Sequence, residues 1–425
     1  MITKYLPKGG FSRNVVTLMT GTTLAQALPV AISPILTRLY TPNEFGVFAI
    51  YLACVSILAI LATGRYELAI MVPKKDKDAA ALVVIAFLIG LLISFCIFCV
   101  VYVFNDYIAA LFNFGDHSGL LYWVPVSVML TAGYQSLNYW CNRNGYYKHM
   151  SSARVAQGVS MSGIHVAAGF AKQGLIGLIA GAVAGHMAVF FLMLFTTIKK
   201  DRGHFDNLSR AYLYSVARRY VDFPKYLVLA HSLNVASFQL PVMLLGSFFG
   251  SGVAGFFMLT QRVIGAPMSI VAGAIGDVFR QEASKAYAET GKCDEIYVRA
   301  FRRLFFIAVV PFVVFFVLAP DFFSLVFGAE WKVSGSYARI LMPMFFMQFI
   351  TSPLSSMYMI AQKQRIDLAW QFSLFSLTLV SFFFAFAFSN SWLGLVLFSA
   401  SYTVMYALNG FISYRLSFGV RGKYV

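Results

Sequence analysis

The sequence predicts an all-α, polytopic membrane protein: about 12 transmembrane helices in two six-helix bundles related by a pseudo-twofold axis along the membrane normal, both termini cytoplasmic. Three observations carry this. Hydrophobic residues fill 59% of 425 positions and charged residues 12%, with mean hydropathy +0.73, too little polar surface to cover a water-soluble domain. Apolar stretches long enough to cross a bilayer, about 20 residues, recur twelve times. Finally, 28 of the 33 Lys and Arg lie at the two ends and in alternate polar segments near 64–78, 142–154, 199–225, 277–303 and 361–367. The six intervening loops hold four: Arg38, Lys172, Lys332 and Arg339. This is the positive-inside bias, and it orients the chain.

The spans fall near 15–36, 47–63, 80–103, 120–141, 152–171, 174–198, 226–248, 253–275, 301–319, 337–360, 368–388 and 392–414. The first follows Lys4, Lys8 and Arg13 like a signal sequence, but it is too long for an h-region and lacks a small-residue cleavage site, so it reads as an uncleaved signal anchor. It contains Pro29 and Pro34; the fourth span contains Pro125, the seventh Pro241, the eighth Pro267, the ninth Pro311 and the tenth Pro343 and Pro353. Each such kink needs a neighbouring helix, a hydroxyl or a wet cavity to satisfy the freed backbone. His165 in the fifth span and His186 in the sixth offer two readings, a proton-coupling route or a neutral ring bonded across helices. Gly177, Gly181 and Gly185 in the sixth span form a double GxxxG, which close helix packing explains. The segment 276–300 carries Val278, Phe279, Ala283, Ala286 and Tyr287 among charges, and reads either as a helix lying on the inner membrane surface or as a solvated loop helix. Phe and Tyr are expected mostly at the lipid face and in interfacial belts.

A weak, ungapped repeat at an offset of 209 residues pairs Leu36 with Leu245, Tyr40 with Phe249, Gly46 with Gly255 and Phe48 with Phe257. It divides the chain into a bundle over 1–198, a cytoplasmic linker over 199–225 and a second bundle over 226–425. Pro34 and Pro241 fall near register, and interrupted helices at matching positions point to a transport site. The first and seventh spans are also unusually polar. One holds Thr20, Thr22, Thr23, Gln26 and Ser33; the other holds His231, Ser232, Asn234, Ser237 and Gln239. Such groups avoid lipid, and either line a cavity between the halves or hold the bundle together.

Arg262 belongs to neither set of loops. It lies deep in the eighth span, where an isolated charge costs about 2.5–3.5 kcal/mol on insertion scales, and no carboxylate occurs at comparable depth. Three readings stand: contact with an anionic substrate, for which a planar guanidinium suits phosphate; a bond to helix carbonyls; or snorkelling.

Other classes fare poorly. The net charge of +16 sits at helix ends, where it anchors spans and meets anionic lipid headgroups, rather than forming a nucleic-acid surface. Five Cys make no disulfide framework, and Cys96 and Cys99, a CxxC, lie one turn apart within an apolar span. There is no GxxxxGK[ST], no zinc-spaced ligand set and no GxSxG. No cofactor is expected. Short, acid-poor outward loops leave transport the better reading over catalysis.

Several motifs then stand out together: Arg38-Leu39-Tyr40-Thr41-Pro42 followed by Phe45-Gly46; Gly64-Arg65-Tyr66-Glu67-Leu68-Ala69-Ile70; Trp140 with Asn142-Arg143; and Asp222-Phe223-Pro224-Lys225. In this order, over about half the chain, the set resembles the Wzx-type O-antigen and polysaccharide flippases of the multidrug/oligosaccharidyl-lipid/polysaccharide exporter superfamily. Lipid II flippases of that superfamily usually carry two additional spans, whereas its drug and toxin exporters share the twelve-span frame. The resemblance implies transfer of an undecaprenyl-pyrophosphate-linked oligosaccharide across the bacterial inner membrane in lipopolysaccharide or related polysaccharide biosynthesis. It implies an ion gradient as driving force, with a polysaccharide polymerase and a chain-length regulator as further partners. On this reading Arg262 meets the pyrophosphate or an acidic sugar. Gln26, Asn234 and Gln239 bond sugar, and Glu67, His165 or His186 take part in ion coupling. Arg65 and Arg143 either draw in the headgroup or simply anchor their helices.

Overall fold

The computed structural model describes residues 10–419, and among these the chain is helical with no strand. The helices are α1 (Gly10–Ala31), α2 (Ser33–Leu39), α3 (Pro42–Thr63), α4 (Tyr66–Ala69), α5 (Asp76–Leu111), α6 (Trp123–Arg143), α7 (Tyr147–Phe170) and α8 (Gly174–Asp201), followed by α9 (Arg210–Arg219), α10 (Val228–Phe249), α11 (Ser251–Thr290), α12 (Asp294–Phe327), α13 (Lys332–Thr351), α14 (Met357–Ile360), α15 (Gln364–Ala387) and α16 (Ser391–Ser417). Each of the twelve expected spans overlaps a long helix. Among the described residues, nine helices combine the length and apolarity needed to cross a membrane. The other three long helices, α1, α6 and α7, carry most of the polar side chains discussed below. Lys4 and Lys8 lie outside the described residues.

Two compact units divide the chain, Met1–Gln239 and Leu240–Val425. In the first, α7 packs on α8 and α1, and α6 packs on α3, α5 and α8. In the second, α13 packs on α11, α12 and α16, and α15 on α16. The repeat is visible in both. The second span of one unit starts at Pro42 and that of the other at Ser251, 209 residues on. Leu36 and Leu245 are both buried, as are Phe48 and Phe257. Tyr51 of α3 hydrogen-bonds Ser127 of α6 at 2.6 Å, and its repeat partner Thr260 of α11 donates to the Ser334 carbonyl of α13 at 2.8 Å.

The proline breaks are satisfied from nearby. The first span is two helices rather than one, interrupted at Ile32 between Pro29 and Pro34. Ser33 Oγ donates to the Pro29 carbonyl at 2.6 Å, and Arg38 Nη1 to the Pro34 carbonyl at 2.7 Å. In α12, Pro320 has no N–H for the Phe316 carbonyl. Arg339 of α13 supplies the donor instead, Nε to Phe316 O at 3.0 Å and Nη2 to Val317 O at 2.9 Å. Arg339 therefore satisfies these carbonyls from within a helix instead of marking an outward loop.

The double GxxxG is a packing seam. A methyl group at Gly177 would meet Ala168 Cβ at 2.5 Å, at Gly181 it would meet His165 Cδ2 at 2.2 Å, and at Gly185 Met161 Cβ at 3.0 Å, so these glycines let α7 and α8 touch.

One expectation is corrected. The segment 276–300 is not a separate surface helix, because α11 runs unbroken to Thr290 and α12 starts at Asp294. Phe279 and Ala283 are buried against Tyr297, Leu304 and Leu354, which holds the end of α11 on its neighbours. Some tyrosines lie inside the units and not on the apolar surface. Tyr40, Tyr51, Tyr297 and Tyr402 are buried and spend their hydroxyls across helices; Tyr40 donates to the His165 carbonyl at 2.6 Å and Tyr297 to the Gly410 carbonyl at 2.8 Å. Phe95, Phe306 and Phe383 do lie exposed on the apolar surface, as do Cys96 and Cys99.

Candidate functional site

The first unit places a buried ion pair where α3 ends. Pro42 opens that helix after a Thr41–Glu44 capping box, and Gly64 closes it in the left-handed conformation at φ 55°. Arg65 follows at φ 58°, also left-handed, where a non-glycine residue is held only at a cost of about 1 kcal/mol. The turn reverses the chain into α4, and Arg65 Nη1 bonds Glu67 Oε1 at 3.1 Å. Glu67 is fully buried, and the Arg65 side chain is 14% exposed. Arg65 Nε and Glu67 Oε2 are shut off from solvent and have no hydrogen-bond partner among the described residues.

The surroundings of the pair are polar. Tyr139 of α6 feels the charges of both residues, and His231 of α10 feels that of Arg65. Along α6, Thr131, Gln135 and Asn138 share one face by their spacing, and each has a buried side-chain oxygen with no partner among the described residues. His231 Nδ1 and Ser232 Oγ are in the same condition. Leaving such an atom unsatisfied costs about 1–3 kcal/mol. Their concentration on α4, α6 and the start of α10 makes a polar interior able to bond hydroxyls, amides or an anion. Across the unit, Arg154 of α7 donates to Thr22 of α1 at 2.5 Å while its Nε lacks a partner among the described residues.

Of the residues marked out in the sequence, the structure brings Arg65 and Glu67 together. Arg143 is committed elsewhere: Nε and Nη2 bond Asp76 Oδ1 at 3.2 and 2.8 Å, and Nη1 bonds the Ile70 carbonyl at 3.2 Å, which clamps the α4–α5 connection. His165 is buried with Nε2 2.8 Å from the Leu178 carbonyl and its ring edge-on to Phe48, the geometry of a ring bonded across helices. His186 is half-buried, with Nδ1 lacking a partner among the described residues. Gln26 is exposed on α1, while Asn234 and Gln239 are half-buried on α10. In the second unit, Arg262 is half-buried on α11 and has an interaction partner, so the argument from an unpaired charge does not apply to it. The α6 stripe and Arg154 went unmarked in the sequence. Three polar side chains sharing one helical face are the readable signal for the stripe. Arg154 is masked by its place next to a basic loop.

The segment after α8 is fastened to the first unit. Asp201 accepts from Trp140 Nε1 and from the Tyr146 hydroxyl, both at 2.9 Å. Burial and this carboxylate push the Tyr146 hydroxyl up to about 12. Asp78 accepts from the Tyr212 hydroxyl and, at 3.1 Å, from Arg219 Nη1, while Tyr66 donates to the Ala217 carbonyl at 3.0 Å. Among the described residues no group of three or more His, Cys, Asp and Glu side chains is placed to hold a metal.

A family model described as "Polysaccharide biosynthesis protein" matches residues 35–336. No curated protein matches the sequence. Among solved structures, the lipid II flippase MurJ in an inward closed conformation aligns with TM-score 0.75 at 11% identity, over 94% of this chain and 87% of that one. An inward-facing multidrug resistance MATE family transporter of the MOP superfamily aligns with TM-score 0.62 at 16% identity, over 94% and 93%. A MOP superfamily transporter from Pyrococcus furiosus aligns with TM-score 0.57 at 15% identity, over 95% and 94%. At these identities the likeness is one of fold, and the fold is the one that the motifs and the twelve spans lead to.

Proposed function

Because the chain belongs to the polysaccharide biosynthesis protein family, we propose that it is a flippase, moving an undecaprenyl-pyrophosphate-linked oligosaccharide from the cytoplasmic to the periplasmic leaflet of a bacterial inner membrane. The observation that carries this reading is the buried Arg65–Glu67 pair with two unsatisfied atoms, set beside a stripe of unsatisfied amide and hydroxyl oxygens on α6. A diphosphate needs a guanidinium, and sugars need amides and hydroxyls. The lipid II flippase MurJ shares this fold, and a lipid-linked saccharide is a fitting cargo for a polysaccharide biosynthesis protein.

Arg65 and Glu67 also suggest how transport is driven. A diphosphate that engages Arg65 competes with Glu67 for the same cation. A buried carboxylate deprived of its counter-ion is costly, so anion binding at Arg65 is linked to neutralisation of Glu67 by a proton or another cation. An ion gradient acting on Glu67 then releases the substrate on the far side in an alternating-access cycle. The bundles over 1–198 and 226–425 are the moving parts. Arg262 supplies positive charge in the second of them, and Asn234 and Gln239 contribute sugar contacts.

Deletion followed by analysis of surface polysaccharide and lipid-linked precursors tests the function. Loss of polymer, with single repeat units retained on the cytoplasmic leaflet, is expected. Normal polymer with altered drug sensitivity would make the chain a small-molecule exporter, and sugar transfer by the purified protein would make it an enzyme.

A further inference from the structure

We propose that the start of α12 binds an amine-bearing zwitterionic phospholipid of the inner leaflet, independently of what the protein transports. Along one stripe of the helix stand, in order, the carboxylates Asp294 and Glu295, the guanidiniums Arg299, Arg302 and Arg303, and the apolar Phe306 and Ile307. Together with Val298 they line a shallow groove of about 720 Å³. The three arginines and Glu295 are exposed and form no ion pair among the described residues. Beyond Ile307 the exposed face continues as Val310, Val313 and Val317, a surface for acyl chains.

Val298 also lines a second groove of about 350 Å³, built from α12, α13 and α16 and walled by Tyr297, Phe301, Met347 and Phe411. This groove is almost wholly apolar. Arg415 lies over the ring of Phe411, 5.2 Å from its centroid.

The order of the charges selects the occupant. In a zwitterionic headgroup the amine is outermost and the phosphate lies next to the acyl chains. Asp294 and Glu295 sit toward the cytoplasmic end that the positive-inside pattern assigns to this helix. The arginines sit one to two turns deeper, at about 1.5 Å per residue, and the apolar face follows. Amine on carboxylate, phosphate on guanidinium and an acyl chain in the neighbouring groove match each level in turn. A purely anionic lipid satisfies the arginines but meets the two carboxylates unfavourably, and a soluble phosphate makes no use of the grooves.

Native mass spectrometry of the full chain in detergent, titrated separately with phosphatidylethanolamine, phosphatidylglycerol and inorganic phosphate, tests this. The wild type is expected to bind phosphatidylethanolamine in preference to phosphatidylglycerol and to retain no inorganic phosphate. Arg302→Ala with Arg303→Ala should weaken phosphatidylethanolamine about thirtyfold, as expected for two basic groups at a headgroup. The paired lysine variant, which keeps the charge, should restore most of that binding. Asp294→Asn with Glu295→Gln should abolish the preference by raising phosphatidylglycerol binding. Preference for phosphatidylglycerol in the wild type, retention of inorganic phosphate alone, or phosphatidylethanolamine affinity unchanged in the double-alanine variant overturns the proposal.

Discussion

Arg65 and Glu67 are two residues apart in the chain and form a buried ion pair, Nη1 to Oε1 at 3.1 Å, because Arg65 adopts a left-handed backbone that turns its side chain back over α4. Breaking such a pair from one side leaves a bare buried charge, which costs about 3–5 kcal/mol, whereas removing both charges costs much less. Arg65→Ala should therefore be markedly less stable than Arg65→Ala combined with Glu67→Gln, as read by thermal unfolding in detergent. Both should abolish polymer export. Equal stability of the single and double variants would dissolve the pair as an energetic unit.

The seam between α7 and α8 gives a second expectation. Alanine at Gly181 places a methyl group 2.2 Å from His165 Cδ2 and 2.6 Å from Nε2, so the ring must leave the Leu178 carbonyl or the helices must separate. Overpacking of this kind costs about 1–3 kcal/mol. Gly163→Ala, on an exposed part of α7 with nothing within 4 Å, is the matched control and should be neutral. Unfolding temperatures of the two variants decide it.

The latch between α9 and α5 should open at alkaline pH. The hydrogen bond to Asp78 raises the Tyr212 hydroxyl above its ordinary value, with burial adding to the effect. A group raised on folding contributes stability that is present below its ordinary pKa, about 10 for tyrosine, and is lost as pH rises through the raised value. Limited trypsin cleavage at Arg218 and Arg219 should accelerate over that window in the wild type. In Tyr212→Phe the acceleration should be absent and cleavage faster at neutral pH.

Topology is tested with single cysteines. Position 205 is expected inside, but Phe205 packs 5.1 Å from the Trp140 ring, so the neighbouring Gly203, exposed with no atom within 4 Å of an added side chain, is the better probe. Gly203→Cys should label from the cytoplasm and Asp116→Cys from outside. The reverse pattern would overturn the orientation on which the leaflet assignments rest.

Arg262→Ala should lower polymer export without loss of membrane insertion, and Arg262→Lys should do so less severely. Because Arg262 has an interaction partner within the structure, unfolding temperature is measured alongside export. Wild-type polymer in Arg262→Glu would end its role as an anion contact.

Much of the fold is legible in the sequence. The breaks near Pro29, Pro34 and Pro353, the packing role of Gly177, Gly181 and Gly185, and the pairing of Leu36 with Leu245 and Phe48 with Phe257 all follow from local chemistry. The site is less so. Arg143 resembles Arg65 in sequence, at the cytoplasmic end of a span, yet it is held by Asp76 and the Ile70 carbonyl, partners reached only once α5 folds beside α6. Thr131, Gln135 and Asn138 are visible as polar residues, but whether they face a neighbour or lipid is invisible until packing orients α6.

The sequence alone determined where the long membrane-crossing stretches lie and which loops hold the bases. A bilayer leaves a crossing backbone no alternative to the helix, and charge decides which loops are translocated. Tertiary structure alone decided which polar side chains are buried without partners, that α11 continues past the membrane region to Thr290, and that Glu67 is sealed inside with Arg65. Those outcomes depend on which helix faces meet, and contacts between side chains far apart in the chain leave no periodic trace in it.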